Sequence, residues 1–358
     1  MSAPPILDLR GAAYDRGRLH AELSPGRGAD VASAVTRRLS ELGPALALPK
    51  VVEWLDAQHA FTRDHDPDGY VEVQGIAEGF GIAADALFAC LYGNVIADLA
   101  GAPALADACT AWATPHGERG PVVVKNRDAR GWQASLECVA RHADPEWGGR
   151  RVLCVGSLGT PGALAGGINT DGLAVVDTQV ATWSHGVGWL RSLLTTHLLR
   201  ECATVAEAVA LVFRVPHAGG GTLVLADATG ATAAIELSHD ATAAEEPAER
   251  DYVARTNHFV SDRLRESAAG SDDPGARASR ARLATLEHAL RGLPLPYPHD
   301  EIAKVMARHG DSVRAGLCRH GEIRDVQTLS GAIFDCRTPA LLFSSGPPCK
   351  GRWERIEP

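Results

Sequence analysis

The feature that most constrains this chain is an abrupt change of hydrophobic period near residue 108. Before it, apolar residues recur at helical spacing over residues 13–40, 51–65 and 72–97, broken by Pro and Gly. After it come short runs that read as strands: residues 109–114, 122–124, 135–141, 151–155, 172–178, 222–226, 232–237, 331–335 and 341–344. Helical patterns return at 189–201, 205–213, 278–290 and 301–307. Strands cluster with strands and helices with helices, which predicts an α+β layered fold rather than alternating βαβ units. Between the two textures, residues 99–108 are small, include a proline and read as a loop. Gly75-Ile76-Ala77-Glu78-Gly79 is followed by Asp85, read as the cap of a helix through Leu91. Residues 261–276 and the Pro-rich 293–299 read as connections or lids, not domain boundaries.

Composition then removes several functions. The net charge is −9 and no basic run exceeds a few residues, so a nucleic-acid partner is not expected. No apolar window is long enough to cross a bilayer, and the first residues lack a charged segment followed by an apolar one, so a cytoplasmic protein with no membrane partner is expected. The eight cysteines show no C-x-x-C pairing and read as free thiols. Cys318-Arg319-His320 is too compact for a usual zinc pattern, and the 14 histidines show no ligand spacing, so neither a metal nor a cofactor is expected. There is no G-x-S-x-G, no H-E-x-x-H and no Walker loop. The glycine-rich residues 156–167 read as a tight loop beside a site, and Gly219-Gly220-Gly221 as a turn.

The chemistry concentrates in Asp107-Ala108-Cys109-Thr110-Ala111-Trp112-Ala113 and Lys125-Asn126-Arg127-Asp128. Cys109 opens one predicted strand and Asp128 lies just past the next. A hairpin brings the end of the second strand back beside the start of the first, so a carboxylate faces whatever is attached to Cys109.

With these segments, and with residues 167–174, Arg255-Thr256-Asn257-His258-Phe259 and Cys318-Arg319-His320 in this order, the sequence resembles the penicillin acyltransferase family (acyl-CoA:6-aminopenicillanate, or isopenicillin-N, acyltransferase) of the N-terminal-nucleophile (Ntn) hydrolases. The resemblance implies a four-layer αββα sandwich with two antiparallel sheets between helical layers. It implies a precursor cut at Ala108–Cys109 into a helical chain 1–108 and a catalytic chain 109–358 that stay associated as one folded unit. Family members more often carry Gly where this chain has Ala108. The freed α-amine, with a reference pKa of about 7.7–8.0, accepts the Cys109 thiol proton without help from a histidine. The thiolate then forms an acyl-enzyme with a small-molecule acyl amide or acyl thioester. By the family pattern, Asp128 orients the amine, Asn257 donates to the oxyanion, and Arg319 tethers either the carboxylate network or a substrate carboxylate. Thr110, Lys125 and Trp112 are the substrate-contacting candidates; bile-salt hydrolases carry Arg at the position of Lys125. Trp112 and Trp132 are each placed either in the wall of an acyl pocket or, the favoured reading, in the core, and His258 fits a structural hydrogen bond. The expected activity is that of an amidohydrolase or acyltransferase acting on C–N bonds other than peptide bonds. The alternative is a binding or scaffold protein that keeps the fold and never cleaves.

Overall fold

The computed structural model describes residues 5–102, 107–246, 252–270, 273–321 and 325–358. Part of the 99–108 and 261–276 loops therefore lies outside the described residues. The chain opens with strand β1 (Ile6–Arg10) and then runs through helices α1 (Ala13–Glu22), α2 (Gly28–Leu42), α3 (Pro49–His65), α4 (Pro67–Phe80), α5 (Ala84–Leu91) and α6 (Gly93–Ala100). The breaks fall where the sequence supplies them. Pro25 and Gly26 separate α1 from α2, and Gly81, at φ 67°, closes α4 in the left-handed conformation. Asp85 is not the cap of α5; Ala83 holds that position and Asp85 sits in the first turn, where its charge favours the helix N-terminus.

Next come β2 (Ala108–Gly117), β3 (Gly120–Arg130), β4 (Glu137–Ala143), β5 (Arg151–Ser157), β6 (Gly166–Asn169) and β7 (Ala174–Gln179). They are followed by α7 (Arg191–Glu201), α8 (Val205–Val212), β8 (Gly221–Ala226), β9 (Thr232–Leu237), β10 (Thr242–Glu245) and β11 (Val253–Arg255). The chain ends with α9 (Asp262–Arg265), α10 (Pro274–Arg291), α11 (His299–Met306), β12 (Val326–Asp335), β13 (Ala340–Ser345) and β14 (Trp353–Ile356).

Two sheets result. One has eight strands in the order β1-β4-β5-β6-β7-β8-β9-β10, and the other six in the order β11-β2-β3-β12-β13-β14. All pairings are antiparallel except β1 with β4. The two-residue period of each strand assigns its side chains to layers. Ala111, Ala113 and Val123 of the six-stranded sheet meet Val139, Leu153, Val176 and Val224 of the eight-stranded one in a core between the sheets. Trp112, Val122 and Val124 point the other way, onto Leu286, Leu290, Ile302 and Met306 of α10 and α11. On the far side, α1–α8 pack on the outer face of the larger sheet through residues such as Leu7, Val152, Leu198 and Leu225. Each aliphatic side chain buried in these layers contributes about 1.5–3 kcal/mol relative to exposure. The fold is the four-layer αββα sandwich.

The N-terminal segment is not wholly helical: β1 joins the large sheet beside β4. Inside the helical layer, α1 and α4 cross with their backbones in contact. A Cβ on Gly17 would lie 2.2 Å from the Glu72 carbonyl oxygen, and one on Gly75 would lie 2.2 Å from that of Tyr14. The glycines at both positions are therefore a packing requirement. Among the described residues, no single helix is long and apolar enough to cross a membrane; α4 and α5 together would be, but they are bent by 120° at their junction.

Candidate active site

Strands β2 and β3 form the predicted hairpin, with the turn at Glu118 and Arg119. Its register sets Cys109 opposite Arg127 and Ala108 opposite Asp128. Alternation then separates the side chains. Cys109 shares the face of Ala111 and Ala113, toward the large sheet. Lys125 is on that face too: its Nζ donates to Asp177 Oδ1 of β7 at 2.6 Å and to the Ala165 carbonyl at 2.8 Å. Asn126 and Asp128 face α10 and α11. Asn126 Nδ2 donates to the carbonyls of Met306 and Leu317, and Asp128 Oδ1 accepts from Thr328 Oγ1 at 2.7 Å.

The thiol side and the backbone side of Cys109 therefore meet different chemistry. On the thiol side, burial pushes the Cys109 thiol up, against the pull of the Lys125 ammonium. Burial would also raise Asp177, but Lys125 and Arg191 outweigh it and hold that carboxyl at about 2. A buried, charge-compensated Lys–Asp–Arg chain thus floors the site; Arg191 Nε donates to Asp177 Oδ2 at 2.6 Å. Arg127 is buried by the thiol as well and pairs with Glu137.

On the backbone side, the Cys109 N–H donates to Asn257 Oδ1 at 2.9 Å. Arg282, on the buried stripe of α10, meets four groups, one of them Thr110 Oγ1 at 3.4 Å. Its Nη1 donates to the Cys109 carbonyl at 3.0 Å and its Nη2 to Asn257 Oδ1 at 2.8 Å, while Nη1 lies 3.6 Å from Asp128 Oδ2. That Asp128 oxygen is buried and, among the described residues, accepts no hydrogen bond. Burial pushes the Asp128 carboxyl above its usual range, opposed by Arg282 and Arg319. Because both donors converge on Asn257 Oδ1, the amide orientation follows, and Nδ2 donates one hydrogen to the Gln179 carbonyl at 2.9 Å.

The residue before Ala108–Cys109 is held separately. Arg38 Nη2 reaches Asp107 Oδ2 at 2.5 Å and Asn94 Nδ2 donates to the same oxygen at 3.2 Å. Against the upward push of burial, Arg38 keeps the Asp107 carboxyl below its usual range. The Ala108–Cys109 peptide is thus clamped on both sides, by Arg38 and Asn94 before it and by Arg282 and Asn257 after it.

Two cavities flank this segment. The first, of about 170 Å³, is lined by Cys109 and Lys125 together with apolar residues including Val35, Leu87, Trp132 and Leu136. The glycine-rich loop after β5 forms part of its wall through Leu158, Gly159 and Leu164, and Gly219 and Gly220 contribute backbone. The second, of about 400 Å³, has Ala108, Asn257, Arg280, Arg282 and Arg319 in its wall.

Set against the sequence reading, Cys109, Asp128 and Asn257 are brought together. Arg319 stands half-buried at the second cavity, where its charge reaches Asp128. Two substrate-contacting candidates are misplaced. Trp112 is fully buried in the core, packed edge-on against Tyr297 at 5.6 Å, because its position in β2 points to the helical layer. Thr110 shares that face, is fully buried and meets Arg282 Nη1 at 3.4 Å; it lines neither cavity. Trp132, by contrast, does line the first cavity. His258 hydrogen-bonds Ser279 Oγ at 2.8 Å, and burial lowers its ring to about 4, so it is neutral and structural near neutral pH. Arg282 was not anticipated. Its one signal in the sequence is an arginine at helical spacing with Leu286 and Leu290, on a face that otherwise reads as apolar.

The family model described as acyl-coenzyme A:6-aminopenicillanic acid acyl-transferase matches residues 114–349, a span that begins just after Cys109. No curated protein matches the chain. Among solved structures, penicillin V acylase from Agrobacterium tumefaciens is similar at 12% identity and a TM-score of 0.44, over 70% of this chain and 86% of that one. A mutant of conjugated bile acid hydrolase from Clostridium perfringens is similar at 11% identity and a TM-score of 0.42, over 70% of this chain and 92% of that one.

Proposed function

Because the chain belongs to the acyl-coenzyme A:6-aminopenicillanic acid acyl-transferase family, within the Ntn hydrolases, we propose that it is a self-processing cysteine enzyme acting through a Cys109 acyl-enzyme. The observation that carries this reading is the pairing of a clamped Ala108–Cys109 peptide with a buried Asp128 oxygen that lacks a hydrogen bond on the backbone side of Cys109.

In the precursor, Cys109 Sγ attacks the Ala108 carbonyl carbon and the C–N bond breaks as the thiol proton passes to the nitrogen, which becomes the free α-amine of Cys109 and leaves Ala108 bound as a thioester. Water hydrolyses the thioester, giving an Ala108 carboxylate and restoring the Cys109 thiol. The new amine keeps Asn257 Oδ1 as acceptor and gains Asp128 Oδ2. It takes the thiol proton as base. The thiolate, near the Lys125 ammonium, attacks the carbonyl of an acyl amide or acyl thioester whose apolar acyl part occupies the first cavity. The second hydrogen of Asn257 Nδ2 is the donor assigned to the oxyanion, a contact of the kind worth about 10²–10³ in rate. The amine returns its proton to the leaving group. The acyl acceptor, water or an amine, then enters from the second cavity, where Arg319 is placed to meet a carboxylate. The two processed chains remain together through the shared layers. Eight unpaired thiols fit a cytoplasmic setting.

N-terminal sequencing of the purified protein tests the reading. Two polypeptides are expected, one beginning Cys-Thr-Ala-Trp, and Cys109→Ala yields a single inactive chain. Processing or acyl turnover by that variant, or a wild-type chain that never begins at Cys109, overturns it.

A further inference from the structure

Apart from the acyl-transfer site, four side chains capable of binding a metal converge at another place in the fold. They are His309, in the loop after α11; Cys318 and His320, on the approach to β12; and Cys349, in the turn between β13 and β14. One ligand atom from each lies within 4.8 Å of every other. The compact Cys318-Arg319-His320 spacing argued against zinc only because it showed half of the cluster. The other half comes from segments that the fold brings in.

The distances among these atoms are those of a coordination shell. His320 Nε2 is 3.1 Å from His309 Nε2, 3.4 Å from Cys349 Sγ and 3.7 Å from Cys318 Sγ. A tetrahedral centre with metal–nitrogen bonds of about 2.05 Å and metal–sulfur bonds of about 2.3 Å places two nitrogens about 3.3 Å apart, and a nitrogen and a sulfur about 3.6 Å apart. Hydrogen bonding accounts poorly for the same arrangement. A ring nitrogen carries either one hydrogen or one lone pair, so Nε2 cannot satisfy three neighbours at once. A shared central atom can.

The backbone around the cluster is already braced. Leu317 N and Cys318 N both donate to the Arg308 carbonyl, Arg319 and Thr328 exchange hydrogen bonds, and Lys350 N and Gly351 N donate to the Pro347 carbonyl. The ligands thus stand on fixed turns, and Cys318 is buried.

We propose that His309, Cys318, His320 and Cys349 form a structural zinc site. Two histidines and two cysteines suit Zn²⁺ over harder cations, and four protein ligands leave no open position for catalysis. On binding, both thiols release their protons to solvent and both imidazoles ligate through Nε2 as neutral rings. The metal and its two thiolates sum to zero charge. The ion ties together three chain segments and fixes the backbone on both sides of Arg319. This proposal stands apart from the acyl-transfer reading and does not depend on it.

The test uses the full-length protein without a histidine tag, purified from zinc-supplemented cells without chelator. Elemental analysis is expected to find about one zinc per chain. Exchange for Co²⁺ is expected to give the visible bands of tetrahedral cobalt with a thiolate-to-metal band in the ultraviolet. Cys349→Ser and His309→Ala are expected to lower bound zinc at least tenfold, with folding checked by circular dichroism. If either variant fails to fold, the cobalt spectrum of the wild-type protein decides alone. Wild-type protein with less than about half a zinc per chain, a Cys318–Cys349 disulfide in the freshly isolated protein, or a cobalt spectrum without thiolate character overturns the proposal.

Discussion

Cys109 and Asp128 sit on neighbouring strands of one hairpin yet present their side chains to opposite faces of the sheet. The carboxylate therefore lies with Thr328 and Arg282 on the helical side of the sheet, while the thiol lies with Lys125 on the other. Asp128→Asn keeps the shape but removes the charge that, in the proposed mechanism, holds the ammonium form of the Cys109 amine. On material shown to be cut, kcat is expected to fall about 10²-fold with KM near the wild-type value. Steady-state kinetics with a chromogenic acyl amide checks this; a change confined to KM places Asp128 in substrate binding instead.

Arg282 is buried with Asp128 beside it, and removing one member of such a pair strands the other. Arg282→Met is expected to destabilise the fold by about 3–5 kcal/mol. It is also expected to slow appearance of the Cys109 N-terminus, since the clamp on the Cys109 carbonyl goes with it. Adding Asp128→Asn is expected to restore most of the stability and none of the activity. Urea denaturation of the single and double variants separates the two effects.

Asp98 lines the second cavity and accepts one backbone hydrogen bond, from Thr182 at 3.1 Å; burial pushes its carboxyl up to about 7. An unfolded chain releases that proton near pH ~3.9, so the native state holds it longer and stability falls as pH rises from about 4 to 7. Asp98→Asn keeps an acceptor for Thr182 and removes the penalty. Its urea midpoint is expected to exceed that of the wild type at about pH 8 and to match it at about pH 4. Equal midpoints at both pH values would show that Asp98 ionises without cost.

Leu136 faces the first cavity beside Trp132. Leu136→Trp fills space assigned to the acyl group. Donors with long acyl chains are expected to lose about tenfold or more in kcat/KM while acetyl donors change little. An equal loss for all chain lengths would move the acyl group elsewhere.

The hairpin that carries the site was legible because residues 109–114 and 122–124 have strand composition and a polar, glycine-bearing turn between them. Five strands have no counterpart in the sequence reading. β1 and β11 are five and three residues long and depend on partners far along the chain, β4 and β2, whereas β6, β10 and β14 are only four residues each, too short for a two-residue period to stand out. Arg282 was hidden by the usual equation of arginine with solvent, although its neighbours on α10 are buried leucines. Thr110 and Trp112 lie close to Cys109 in sequence but away from both cavities, because alternate residues of a strand belong to different layers. Likewise, no local spacing could have announced His309 and Cys349, which meet Cys318 and His320 only through turns on three separate segments.

The parallel pairing of β1 with β4 gives the first few residues an importance out of proportion to their length. Leu7 and Leu9 are fully buried, and without them the rim of the eight-stranded sheet is bare along β4. A recombinant chain begun directly at Cys109, with the nucleophile ready-made, would expose that rim as a template for cross-molecular strand addition. Supplying residues 1–108 as a separate polypeptide during refolding is expected to cover that rim and restore solubility.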